Sequence, residues 1–127
     1  MRATPWTMIQ RPVPTREYVA LLTELPLESF RALPAFLSYT REIDAQLKRS
    51  TGLIGYSMKA RLLQKLFWTL SVWESAAALK AFVDERPHEY VMEALRGRMG
   101  RTRFVQWKIA GFQCPPTWEH AFKREQM

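Results

Sequence analysis

Residues 66–73, Leu-Phe-Trp-Thr-Leu-Ser-Val-Trp, limit the fold more than any other stretch of the chain. At strand spacing Leu66, Trp68, Leu70 and Val72 fall on one face, and Phe67, Thr69, Ser71 and Trp73 on the other. A strand that is apolar on both faces has to be covered on both. It therefore belongs inside a sheet, with a packed layer on each side. Glu74-Ser75 follow at once, Ser75 having the chemistry of a helix N-cap, and Leu79, Phe82 and Val83 then recur on one helical face. A buried strand that runs straight into a helix is the framework around which the other segments have to be arranged.

The flanking segments supply the rest. Residues 53–63 alternate, with Ile54, Tyr56, Met58, Ala60 and Leu62 expected on one face and Leu53, Gly55, Ser57, Lys59 and Arg61 on the other. Gln64-Lys65 between the two strands reads as a tight turn, without the Gly or Asn such turns prefer. Upstream, residues 18–23 form a short apolar run ended by Pro26. Phe30, Leu33, Phe36, Leu37, Thr40, Ile43 and Leu47 then recur at steps of three and four, one face of a helix. Pro34 suits a first turn, so the helix starts near Leu33, and Ser50-Thr51-Gly52 stops it. Downstream, Arg86-Pro87 interrupts the second helix, and a short helix with Val91, Ala94 and Leu95 stops at Gly97. A last strand covers residues 103–109, with Val105, Trp107 and Ile109 on one face. Thr117 then caps a tail helix whose apolar side is Trp118, Ala121 and Phe122.

This order, β-α-β-β-α-β plus a short C-terminal helix, predicts an α+β chain with a ferredoxin-like antiparallel sheet. The expected units are a Pro-rich arm at 1–15, the domain at 16–113 and a tail helix at 114–127. With both helices on one face, the other face is expected to stay bare while rich in large apolar groups. A contiguous patch of that size calls for a partner, and a homodimer through the open sheet face is expected.

Composition excludes several classes. The chain has 127 residues, 47% hydrophobic and 24% charged, unlike disordered or low-complexity sequences. A single cysteine, Cys114, excludes an internal disulfide and any cysteine cage for zinc, and no metal site is expected. No apolar run approaches the roughly 20 residues a membrane span needs. Pro5, Pro12 and Pro14 break up the N-terminal segment, unlike a secretion signal. A cytoplasmic chain with neither membrane nor nucleic acid as partner is the expectation.

Three groups of residues are candidates for function. The net charge of +7 has its densest focus at Arg96, Arg98, Arg101 and Arg103, interspersed with Gly97 and Gly100. That run fits either a site for a phosphate, propionate or carboxylate, or a solvated loop. Tyr56, Trp68, Trp73 and Trp107 are strand aromatics that suit a pocket for a planar ligand or a packed core. His88 is the histidine inside the domain pattern, since His120 lies in the tail helix. It suits a heme ligand, an acid/base group or a local helix cap.

Gly52-Leu53-Ile54-Gly55-Tyr56-Ser57, then Phe67 to Ser75, Leu79-Lys80-Ala81-Phe82 and Pro87-His88 resemble the dimeric α/β-barrel superfamily. Within it they are most similar to the antibiotic-biosynthesis-monooxygenase-like branch and to spheroidene-monooxygenase-like small bacterial proteins. The resemblance implies reliance on an Asn near the sheet, a Trp, and, in heme-degrading members, a His on the second helix. Trp73 matches the Trp. The chain contains no Asn, the His position falls close to Met92, and His88 stands one turn earlier. The resemblance implies a monooxygenase-like protein that holds an apolar or planar ligand between sheet and helices and oxidises it with O2, either without a cofactor or with heme. His88 would be ligand or proton carrier and Trp73 a pocket wall. A non-catalytic dimeric binding or scaffold protein of the same fold is the alternative.

Overall fold

The computed structural model describes residues 2–85 and 88–126, the side chains of Arg2, His88 and Glu89 lying outside that description. Its strands are β1 (Arg2–Ala3), β2 (Thr7–Met8), β3 (Glu17–Pro26), β4 (Leu53–Arg61), β5 (Leu66–Trp73) and β6 (Arg103–Ala110). Its helices are α1 (Leu33–Lys48), α2 (Ala76–Asp84), α3 (His88–Leu95) and α4 (Trp118–Glu125). The sheet runs β1-β4-β5-β3-β6, with β2 also paired to β4, and every pairing is antiparallel. The two central strands are therefore β5 and β3, the ferredoxin-like arrangement expected from the order of elements.

The expected signals act where they stand in the sequence. Ser75 Oγ accepts from the Ala78 amide at 3.1 Å and Thr117 Oγ1 from the His120 amide at 3.1 Å, capping α2 and α4. Pro34 lies in the first turn of α1. Gly97 after α3 and Gly52 in the turn that leads into β4 adopt φ of 83° and 86°, the left-handed conformation glycine takes without a Cβ penalty.

Three local expectations are corrected. Ile54 and Tyr56 do not share a face. A β-bulge between Leu53 and Gly55 inserts an extra residue, so Leu53 joins Tyr56 and Trp73 on the helix side while Ile54 packs on the far side. The β4–β5 connection is a four-residue turn, Leu62 to Lys65, closed by the Lys65 amide on the Leu62 carbonyl at 3.1 Å. A two-residue turn needs positive φ at both positions when it is type I′; here Lys65 adopts it, at 56°. Val83, assigned to the buried face of the second helix, is 40% exposed.

The sheet face expected to be bare is covered by the chain itself. Tyr18, Ala20, Leu22, Ile54, Leu70, Val72 and Ile109 are buried there, with Trp118, Ala121 and Phe122 of α4 lying across them. Phe122 meets the Trp68 ring edge-on at a centroid distance of 5.4 Å. The N-terminal arm closes the rest: β1 and β2 pair with β4, and the Trp6 indole lies directly over Gly55. The apolar surface proposed for a homodimer is thus already buried within one chain. The sequence pattern missed this because neither a two-residue strand nor a helix-to-sheet contact has a local signature.

Under α4 lies a pair of acids. Trp68 Nε1 donates to Glu24 Oε1 at 3.0 Å, and Arg103 donates to the Glu125 carbonyl at 3.1 Å. Glu125 Oε2 is buried without a hydrogen-bond partner among the described residues. Burial first, then the negative charge of Glu24, raise the Glu125 pKa, with Arg103 opposing them. A proton on Glu125 supplies the donor that two carboxylates lack.

Two outcomes follow from this packing. A Cβ on Gly55 would stand 2.5 Å from Trp6 Nε1, so Gly55→Ala forces the indole off the sheet. A loss of about 1–3 kcal/mol is expected in denaturant or thermal unfolding. Because the folded chain holds the Glu125 proton more tightly than the unfolded chain, stability falls as pH rises from the ordinary glutamate range through the raised folded value. Glu125→Gln should unfold at a higher temperature than the parent at neutral pH and flatten that slope; an unchanged slope would assign it to other groups.

Candidate functional site

On the helix side of the sheet the core divides in two. At one end Phe36, Phe67, Val91 and Leu95 pack together with Leu27 and Ala32; at the other, Leu47, Tyr56, Trp73, Leu79 and Phe82 pack with Leu53. Helix α1 rests on both, through Phe36 and Leu47. Between them the sheet presents smaller groups, Thr23 of β3 paired with Thr69 of β5 and flanked by Ser71. These side chains are too short to reach the helices. The result is a cavity of about 510 Å³, roofed by Tyr39, Thr40 and Ile43 of α1 and by Val91 and Met92 of α3. That volume is in the range of small-molecule sites.

The walls are apolar with a few placed polar groups. Trp73 Nε1 donates to Ser71 Oγ at 2.9 Å, which fixes the indole plane against the cavity. The Trp73 ring stands 5.2 Å from that of Phe82. Tyr56, 3% exposed, donates its phenolic hydrogen to Asp44 Oδ1 at 2.5 Å. Asp44 in turn pairs with Lys48 at 3.1 Å on the outer side of α1. Burial first, then the hydrogen bond to Asp44 and its negative charge, push the Tyr56 phenol well above its ordinary range. The phenol stays neutral, its one hydrogen directed at a carboxylate, while a hydrogen bond from the Thr7 side chain to its oxygen opposes the shift and leaves one lone pair to accept from a ligand. The Thr23 and Thr69 hydroxyls make no side-chain hydrogen bond among the described residues and border the same space.

The proposed site residues separate into three places. Tyr56 and Trp73 line the cavity together. Trp68 also borders the cavity but packs its ring on Phe122 at the other face, where Trp107 faces His120 at 6.1 Å, its Nε1 buried and without a partner among the described residues. These two are core under α4, because residues of one strand share a face only at even spacing. Arg96, Arg98 and Arg101 stand outside the cavity lining on an exposed loop, with Arg96 paired to Glu93 at 3.0 Å. The His88 backbone begins α3, and its side chain lies outside the described residues. Met92, at the position where the resemblance puts a histidine, lines the cavity. Cys114 is half-buried, and burial pushes its thiol up to about 11, so it remains a neutral packing group.

Asp44 went unrecognised in the sequence. Its only signal is a carboxylate one residue beyond the apolar position Ile43, four before Lys48, a pattern shared by any solvated helical ion pair. What gives it a role is the arrival of Tyr56 from a strand twelve residues later.

Heme fits this lining poorly. The described lining offers no imidazole and no thiolate. Its one ionic side chain, Lys59, holds its ammonium over the Trp118 and Phe122 rings on the opposite face of the sheet, at 5.4 and 5.2 Å. No group of three or more His, Cys, Asp or Glu is placed to hold a metal ion among the described residues.

Neither a family model nor a curated protein sequence matches the chain. Solved structures do. The cofactor-independent oxygenase SnoaB from Streptomyces nogalater superposes with a TM-score of 0.62 at 16% identity, over 80% of this chain and 99% of that one. A structure described as an antibiotic biosynthesis monooxygenase gives 0.64 at 12% identity, over 70% and 95%. A proposed monooxygenase from Lactobacillus acidophilus gives 0.63 at 9% identity over 80% of this chain, which spans 50% of that longer one. With the helices over a four-stranded core in the order β4-β5-β3-β6, the chain has the α+β fold of the antibiotic-biosynthesis-monooxygenase-like proteins.

Proposed function

We propose that this chain is a cofactor-free monooxygenase acting on an apolar, planar substrate held between sheet and helices. The observation that carries the reading is Tyr56 in the wall of an otherwise apolar cavity, hydrogen-bonded to Asp44, which stands outside the lining. The similarity to a cofactor-independent oxygenase supports it through the fold. Without a cofactor the electrons for O2 have to come from the substrate, and an electron-rich substrate is made by removing a proton from it.

Tyr56 and Asp44 are arranged for that step. A substrate proton passes to the Tyr56 oxygen as the phenolic hydrogen moves to Asp44, so the carboxylate is the net base and the phenol never becomes an isolated phenolate. The negative charge left on the substrate is spread over its planar framework and reacts with O2. For an activated CH2 group the balance closes as CH2 and O2 becoming C=O and water. Trp73, fixed by Ser71, supplies a flat wall that holds the framework. The apolar lining excludes water, which strengthens the polar contacts and protects the reactive anion.

Oxygen uptake measured with planar substrates that carry an activated CH2 or a phenolic hydroxyl tests the reading. Tyr56→Phe and Asp44→Asn should each lower kcat by about 10²–10⁴-fold, the usual range for lost acid–base catalysis. KM should change by a few-fold at most. Retention of full kcat in both variants would remove the relay. A substrate that binds tightly and consumes no oxygen would leave the chain a binding protein of the same fold.

A further inference from the structure

Four of the chain's most exposed apolar side chains gather at one end of the sheet. The β4–β5 turn carries Leu62 and Leu63, 53% and 85% exposed, at a tip where turns normally carry polar residues. Phe30, 51% exposed, lies beside the turn with Lys65 Nζ over its ring at 5.1 Å. Phe104, 63% exposed, opens β6 at the same end, since its neighbour Arg103 pairs with Glu24 near the end of β3.

These segments form one platform. The Leu27 amide donates to the Lys65 carbonyl at 2.8 Å, the Glu28 amide to the Arg98 carbonyl at 3.0 Å, and the Gly100 amide to the Pro26 carbonyl at 2.8 Å. The same platform carries Arg31, Arg61, Lys65, Arg98 and Arg101, all but Lys65 exposed, against two nearby acids without an ion pair among the described residues, Glu28 and, bonded to Trp68 on the α4 face, Glu24. The arginine loop that lies outside the cavity lining is therefore part of a surface that is both apolar and cationic.

We infer that this end of the molecule docks on the surface of an anionic lipid bilayer. Leucines at a turn tip have no use on a nucleic acid, whose phosphates reward the cations alone. At a bilayer interface both features act together, the apolar tip entering the headgroup boundary while the cations meet anionic lipid. Each Lys or Arg near such a surface strengthens partition by roughly fivefold. The expectation of no membrane partner rested on the missing span, and adsorption does not need one.

The docking also indicates where the substrate comes from. Leu62 and Phe104 of this platform are at once exposed and part of the cavity lining, as are Leu37 of α1 and Val83 of α2. The cavity thus communicates with the surface that meets lipid, and a lipid-soluble substrate can enter from the bilayer. That second half rests on the proposed function above; the docking itself does not.

Sedimentation of the full chain with vesicles is the test. Binding is expected to vesicles of phosphatidylcholine containing phosphatidylglycerol, weaker binding to phosphatidylcholine alone, and loss on raising the salt concentration. Leu63→Glu should weaken partition by about tenfold or more, since one buried leucine is removed and a repelling charge added. Phe112→Ser, at a residue 74% exposed but at the opposite end of the sheet, should not. No binding, equal binding to both vesicle types, or full binding by Leu63→Glu would overturn docking. So would a dimer, or a complex with single-stranded RNA, that accounts for the surface in place of lipid. A soluble anilinonaphthalene dye, measured without vesicles, separates the two readings: its entry into the cavity without vesicle binding removes docking alone, and vesicle binding without dye entry removes the cavity reading alone.

Discussion

Two clusters of large side chains, one around Phe36 and Phe67 and the other around Trp73 and Phe82, hold the helix layer at a fixed height above the sheet. Between them the sheet carries Thr23, Thr69 and Ser71, which cannot fill that height. Close packing is the rule inside proteins, and a gap of about 510 Å³ forgoes many dispersion contacts. It persists because closing it would require the helices to tilt off one of the clusters. Cavity, Tyr56 orientation and Trp73 plane all depend on this spacing.

The opposite face illustrates a second constraint. A strand apolar on both faces needs two covers, and in this chain the second cover is its own, α4 with the N-terminal arm. Gly55 lets the Trp6 indole lie against the backbone, and Lys59 closes over the rings of α4. The acids Glu24 and Glu125 come to share a protected space beneath that helix. Their closeness makes this cover sensitive to pH, while the helix-side cavity keeps its one carboxylate contact at Tyr56.

Much of the fold was legible because its signals are local. Caps at Ser75 and Thr117, Pro34 in a first turn, Gly97 after α3 and Gly52 in the turn before β4 act through neighbouring backbone groups. The alternation of β5 was equally readable, and it put Thr69, Ser71 and Trp73 correctly on one face. The alternation of β4 misled at a single point, since a bulge at Ile54 has no fixed sequence pattern and shifts every residue before it to the other face. Among the site residues, Tyr56 and Trp73 were visible as strand aromatics, yet Trp68 and Trp107 looked the same and belong to the other layer.

The sequence by itself determined the order and type of the elements, the two-sided burial of β5 and the excess of positive charge, because these depend on residues close together in the chain. Tertiary structure alone decided which layer covers which face, that Asp44 meets Tyr56, and that the arginine loop joins the leucine turn at one end of the sheet. Those pairings join segments separated by a helix or by whole strands. Their energies arise only when the packed layers bring them within contact distance, so no spacing rule along the chain can encode them visibly.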